Sequence, residues 1–255
     1  MTTTLTITGP NFVNTLQPPL PTISNLRTLA FFGSGGDGNN ANRVNGGPAL
    51  IVAAGTPVYA ANYVNLGVQP GTVYTALDTQ NPRDATTLAS GVTWAAACRV
   101  SQIPVNNAGR GSVFSDYKVG GPGNALSWAV AVNGQKQIQL IPGAVIRASI
   151  ICLSDPIANY HFVAMTYTGG AAGTFTLYDY TENATTGVPV TYVASGQVTG
   201  VQTPHFGQVA VTENLTTTPI EHAFGLVANS VMSQASLAQL YAWVKANLAR
   251  RSITI

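Results

Sequence analysis

Nine acidic residues are spread over 255 positions, and that sparsity limits the carboxylate chemistry open to the chain. Glycoside hydrolysis needs two carboxyl groups roughly 5 to 10 Å apart across one sugar. The closest pair, Asp179 and Glu182, lies three residues apart at a strand end, where strand geometry points the two to opposite faces. They read as surface-loop acids, and a turn is what would bring them together as weak calcium ligands. Asp37 with Asn39, Asn40 and Asn42 is the other oxygen-rich cluster, but a Gly-Asp-Gly-Asn string is ordinary turn chemistry. No metal site and no cofactor are expected, with Asp37, Asp179 and Glu182 as the weak candidates.

The other reactive residue types lead no further. His161, His205 and His222 show no i, i+4 spacing of the kind that suggests zinc. His161 is expected to pack in a hairpin, and His205 and His222 to sit in loops or at strand edges. Cys98 and Cys152 each fall on the apolar side of an alternation, Trp94-Ala96-Cys98-Val100 and Ile146-Ala148-Ile150-Cys152, which predicts two buried, reduced thiols. Arg99, next to Cys98 on a strand, points away from it, so neither thiol has an activating cation. The string Gly33-Ser34-Gly35-Gly36-Asp37-Gly38 fits a dinucleotide fingerprint by letter, yet no helix follows to hold a pyrophosphate. The chain is expected not to be an enzyme.

Aromatic side chains are the remaining candidates, because a sugar offers C–H patches to an aromatic face and hydroxyls to nearby amides. Tyr59, Tyr63, Tyr117, Tyr178 and Tyr180 lie near loops rich in Asn and Thr and are the candidate carbohydrate-binding residues. Trp94 and Trp128 sit within alternating strands and read as core. Trp243 lies off the main apolar line of a helix and is expected at an edge or interface.

The elements that must position these residues are mostly strands. Short runs rich in Val, Ile, Thr and aromatics, bounded by Gly, Pro or Asn, fall at 4–8, 26–32, 72–77, 92–100, 112–118, 125–132, 136–141, 145–153, 160–168, 173–180 and 189–194. Asn133-Gly134 supplies two residues tolerant of positive φ and predicts a tight hairpin between 125–132 and 135–141. Many strands with almost no helix between them exclude βαβ units and leave an all-β, antiparallel two-sheet sandwich. One amphipathic helix closes the chain at 233–251. Ser233 is its N-cap, Leu237, Leu240, Val244 and Leu248 form its apolar line, and Arg250 and Arg251 meet its negative end. The expected organisation is an N-terminal arm or strand over 1–25 and a single domain over 26–255.

Composition narrows the function class. Charged residues are 8% of the chain against about a quarter in an ordinary soluble domain, so the surface must be built from Thr, Asn, Ser, Gln and Gly. Such a surface suits an extracellular or assembled life. A formal charge of +2 with scattered Lys and Arg provides no basic stripe, which excludes a nucleic-acid partner. No apolar run is long enough for a membrane helix, so no membrane insertion is expected. The N-terminus carries no positively charged flank before an apolar stretch, which predicts synthesis in the cytoplasm without a secretory leader.

Two motifs carry a resemblance. The run 160–169, Tyr-His-Phe-Val-Ala-Met-Thr-Tyr-Thr-Gly, leads to Gly173-Thr174-Phe175-Thr176-Leu177-Tyr178, and Met232-Ser233-Gln234-Ala235-Ser236-Leu237 precedes Leu240-Tyr241. In this order they resemble the central hairpin and closing helix of concanavalin A-like jelly rolls of the laminin G and pentraxin type. With the opening Leu5-Thr6-Ile7-Thr8-Gly9-Pro10-Asn11-Phe12, the wording most resembles bacteriophage tail or virion structural proteins of this fold. The loop after Tyr178 is longer than the family's, Ser236 replaces a usual Glu, and the Glu-x-Asp-x-x-Glu pattern of the family's glycosidases is absent. The resemblance implies a jelly-roll virion component, localised to the particle. Its partners would be copies of itself, other virion proteins and a host-surface glycan. The alternative is a free carbohydrate-binding or carbohydrate-active protein of the same fold. Trp243 and the proline-rich segment 10–21 are expected to supply the apolar surface for homo-oligomerisation.

Overall fold

The computed structural model describes residues 20–33, 41–66, 75–81, 89–101, 111–116, 124–130, 134–142, 146–169, 173–189, 203–207 and 218–255. The strands in chain order are β1 (Leu26–Phe31), β2 (Ile51–Ala54), β3 (Val58–Tyr59), β4 (Val64–Leu66), β5 (Ala76–Asp78), β6 (Val92–Val100), β7 (Gly111–Ser115) and β8 (Asn124–Val130). They continue as β9 (Lys136–Pro142), β10 (Ala148–Ile151), β11 (His161–Tyr167), β12 (Thr174–Asp179), β13 (Ala184–Pro189), β14 (His205–Gly207) and β15 (Ile220–Ala228), and helix α1 (Gln234–Ala249) follows. The expected strand at 4–8, Asp37 and Tyr117 lie outside the described residues.

Two antiparallel sheets form a β-sandwich. One runs β13-β12-β11-β6-β15-β4-β3, with β1 also paired to β15, and the other runs β10-β9-β8-β7-β14-β5-β2. The expected hairpin is the β8–β9 pair, in register from Asn124↔Pro142 to Val130↔Lys136. Gly134 holds φ at +82°, a conformation that glycine adopts without Cβ strain.

The space between the sheets is filled by side chains of both: Trp94, Cys98, Met165 and Phe175 from one, Phe114, Trp128, Ile138 and Phe206 from the other. Trp94 stacks on Phe114 at 5.5 Å, and Phe114 meets Phe206 at 4.7 Å. On the outer face of the first sheet a second core holds Leu29, Ala95, Ala97, Phe162, Ala164, Phe224 and Leu226 against Leu237, Leu240, Trp243, Val244 and Leu248 of α1. The middle of the eight-stranded sheet is therefore dry on both sides. β6, β11 and β15 each show almost uninterrupted burial rather than alternation. Small residues at 95, 97 and 164 let the helix approach this sheet closely.

Helix α1 begins as its sequence predicts, with the Ser233 hydroxyl accepting from the Ser236 N–H at 3.1 Å. Trp243 corrects an expectation. It is buried, 5.5 Å from the Phe31 ring and 6.5 Å from Phe224, so it closes the second core and offers no interface. The part of the oligomerisation argument built on its exposure falls with it, while residues 10–19 of the proline-rich segment lie outside the described residues. The largest omission in the sequence reading is β15, the strand at the middle of the eight-stranded sheet. β2, β3, β4 and β14 were missed with it. His222 lies on β15, fully buried, with Nε2 2.9 Å from the Val113 carbonyl of the opposite sheet, and is neither a loop nor a strand-edge residue. His205 is likewise buried, on β14.

Gly225 sits on β15 where the Phe206 ring crosses, and a Cβ there would lie 2.1 Å from a ring carbon. Gly225→Ala should lower stability by roughly 2 kcal/mol or more by overpacking, read by urea unfolding, and Phe206→Leu should restore part of the loss in the double variant. A second prediction concerns acid. Burial holds the His222 imidazole down, from its ordinary 6.5 to about 4, so the unfolded chain takes up this proton before the folded one does. Its stabilising contribution is complete above about pH 6.5 and falls as pH drops towards 4, a loss on the order of 3 kcal/mol. The drop in melting temperature over that window should be smaller in His222→Gln than in the native chain.

Candidate functional site

Two places gather polar side chains, one inside the sandwich and one at its rim. The interior group forms where β11 begins, β12 ends and the chain leaves β10. Asp179 is the last residue of β12, and the turn that follows, with Asn183 at φ +53°, folds Glu182 back beside it. Asp179 Oδ1 accepts from the Thr181 and Glu182 N–H groups at 3.0 and 3.2 Å. Its Oδ2 lies 2.9 Å from His161 Nδ1. His161 Nε2 is 3.1 Å from the Ser154 hydroxyl, which also contacts Glu182 Oε1, and Glu182 Oε1 accepts the Ser154 N–H at 2.9 Å. The turn foreseen between the two acids is thus present, but it serves a buried group. Asp179 is fully enclosed and is not a surface-loop acid. Burial opposes charge on Glu182, yet the Ser154 donors outweigh it and hold the carboxyl below its ordinary range.

Both cysteines border this group, and both are free and buried, as the alternations predicted. Burial pushes the Cys98 thiol up to about 12 and raises Cys152 further, with the Asp179 carboxylate adding to both. Trp128 closes the group from the other sheet, with its ring edge-on to His161 at 5.1 Å.

Ser154, His161 and Asp179 stand in the order of a nucleophile, base and orienting acid. Acyl transfer would also need donors for a developing oxyanion beside the nucleophile. Here the Ser154 hydroxyl and its own N–H are both turned to Glu182, so a second negative charge at that point would be repelled.

The rim site is a cleft of about 470 Å³ lined by Asn62, Tyr63, Arg99, Asn159, Tyr160, Ser252 and Thr254, among others. Its floor is a cross-strand pair: Arg99 on β6 faces Glu221 on β15, with Nε 2.7 Å from Oε2. The Tyr160 hydroxyl donates to the same Glu221 oxygen at 3.0 Å, and the guanidinium lies 4.9 Å over the Tyr160 ring. Burial and the Glu221 carboxylate together push the Tyr160 phenol upward, so it remains a donor. The Asn62 amide donates to the Arg251 carbonyl at 2.8 Å, tying the segment after α1 to this wall. Arg99 is about a third exposed, and the site offers an aromatic face, a guanidinium and neutral amides and hydroxyls.

Of the tyrosines singled out from sequence, Tyr63 lines this cleft. Tyr59 packs half-buried against the inter-sheet core. Tyr178 and Tyr180 stack at 5.9 Å beside Tyr241 of the helix, and the Tyr180 hydroxyl donates to the Gln234 carbonyl at 2.9 Å. The structure thus separates them rather than forming one site. Arg99, Tyr160 and Glu221 were missed as site residues, although a lone Arg and a lone Glu inside apolar strands were the available signal.

No protein-family profile and no curated protein matches the sequence. Among solved structures, the receptor-binding domain of botulinum neurotoxin D is similar at a TM-score of 0.57 and 12% identity, over 88% of this chain and 53% of that one. Trypanosoma rangeli sialidase in complex with sialic acid is similar at 0.57 and 14%, over 86% of this chain and 33% of that one. At such identity the likeness concerns the fold alone. The chain is a two-sheet β-sandwich domain, spanning about half the length of the toxin chains it matches and a third of the sialidase.

With both thiols buried and raised, a water-soluble disulfide reagent should leave the folded chain unlabelled and react with both cysteines once urea unfolds it. Labelling of either one at the rate of an exposed thiol in the native state would contradict this packing.

Proposed function

We propose that the protein is a lectin-like, non-enzymatic component of a bacteriophage particle that binds a surface glycan in the rim cleft. The observation that carries the binding reading is the cleft itself, where Tyr63 supplies a ring face, Arg99, backed by the buried Tyr160 ring, supplies donors, and Asn62, Asn159, Ser252 and Thr254 ring the opening. A sugar presents the complementary pattern of C–H patches and oxygens. Two proteins of similar fold, a receptor-binding domain and a sialidase in complex with sialic acid, support a ligand-recognition reading. Binding without turnover is supported by three carboxylates that are already engaged, Asp179 and Glu182 in the buried group and Glu221 with Arg99 and Tyr160.

The particle setting, and the finer placing of the sandwich as a concanavalin A-like jelly roll, rest on the wording of 160–178 and 232–241 and on the low charge. Contact with copies of itself is supported by a different surface from the one first expected. Ile51, Val52 and Val58 are each about half exposed on β2 and β3, the neighbouring edges of the two sheets.

The test is a glycan array with the purified chain, alongside mass spectrometry of purified particles. Tyr63→Ala and Arg99→Gln should each weaken binding about tenfold or more, roughly 1.4 kcal/mol, while Tyr178→Ala leaves it unchanged. Glycan binding with no incorporation into particles would favour the free carbohydrate-binding protein. Binding unaffected by both cleft variants would refute this site.

A further inference from the structure

The interior group contains more than a buried histidine with its acid. Cys152 Sγ, a ring nitrogen of His161 and a carboxylate oxygen of Asp179 all lie within 4.8 Å of one another, and all three residues are buried. They arrive from separate places: Cys152 from just past β10 in one sheet, His161 and Asp179 from β11 and β12 in the other.

The hydrogen bonds around them set a constraint on protons. Ser154 has one hydroxyl proton, and its contacts offer it to Glu182 Oε1 or to His161 Nε2, 3.1 Å away. Where Glu182 takes it, Nε2 is the nitrogen that carries the imidazole proton and donates to Ser154. The Nδ1 lone pair then stands beside Asp179 Oδ2 at 2.9 Å, two ligand atoms placed to share one cation.

We propose that Cys152, His161 and Asp179 supply three ligands of a buried site for a zinc-class divalent cation that ties the two sheets together, with a water in the fourth position. Thiolate, imidazole and carboxylate are the donor set that zinc takes, and the sulfur ligand disfavours calcium and magnesium. On binding, Cys152 gives its proton to solvent and Nδ1 coordinates as a lone pair. One thiolate and one carboxylate then balance the two positive charges, as a dry site requires. The proton on Nε2 stays, donated through Ser154 to Glu182, which is the outer-shell support a metal-bound histidine usually has. A tetrahedral zinc spaces its ligand atoms roughly 3.3–3.6 Å apart, so closing on the ion takes rotation of Cys152 more than movement of the strands. The site is independent of the rim cleft, and glycan binding tests neither its presence nor its absence.

The full chain, purified without chelator, is expected to carry about one zinc by mass spectrometry of metals. After removal with a strong chelator its melting temperature should fall and recover on adding zinc. Cobalt loaded in place of zinc should show the near-ultraviolet absorption of a cobalt–thiolate bond together with the visible bands of a tetrahedral ion. Cys152→Ser should lose the thiolate absorption, and His161→Gln should lose the tetrahedral bands. If either variant fails to fold, the native chain still decides. No retained zinc, no cobalt–thiolate absorption in the chelated and reloaded chain, and a doubly protonated His161 by nitrogen NMR would overturn the site in favour of a buried imidazolium.

Discussion

The structure depends on one sheet being covered on both faces. The eight-stranded sheet has the second sheet against one side and α1 against the other, so its central strands β6, β11 and β15 lie out of water along nearly their whole length. Removing both faces of a strand from water roughly doubles the apolar area that it buries, at about 25 cal/mol per Å². That arrangement sets the residue choices around it: alanines at 95, 97 and 164 where the helix approaches, and tryptophan and phenylalanine where the sheets must be spanned.

Dryness on both faces also decides what happens to polar groups. A side chain that cannot reach water must find a partner in the fold or lose the free energy of an unmade hydrogen bond. Several buried polar residues answer this in pairs that join distant parts of the chain. His222 reaches the Val113 carbonyl across the sandwich, Asn81 and Asn229 exchange amide contacts, and His161 takes Asp179 from the next strand. The His161–Asp179 pair lies where β11 begins and β12 ends, and there the backbone turns and folds in a second carboxylate, Glu182. The same logic holds the acids and the serine of the interior group to one another.

The rim of the sandwich is built differently. At the Arg99 end of β6 and the Glu221 end of β15 the helix no longer covers the sheet, and the segments at 60–63, 158–160 and 252–254 rise around the exposed guanidinium. Glu221 neutralises Arg99 and fixes its plane over Tyr160, so the cleft presents directed donors at little cost in side-chain freedom on binding.

Much of this was legible in the chain itself. Alternation placed Cys98 and Cys152 inside, β-propensity and Asn133-Gly134 located the β8–β9 hairpin, and the spacing of Leu237, Leu240, Val244 and Leu248 with Ser233 before it located α1, because each of these signals is local and periodic. β15 was not legible: Ile-Glu-His-Ala-Phe-Gly-Leu-Val-Ala has no period of two, since a strand buried on both faces has no polar side to alternate with. Trp243 stood off the helix's apolar line because the sheet beneath is wide enough to cover more than a narrow stripe. Asp179 and Glu182 could be paired only by a turn whose direction depends on the burial of His161. Arg99 and Glu221 are 122 positions apart, with Tyr160 between them just before β11, and only the pairing of β6 with β11 and β15 brings them together. Local order is written in neighbouring residues. Convergence of distant ones is decided when the apolar faces close.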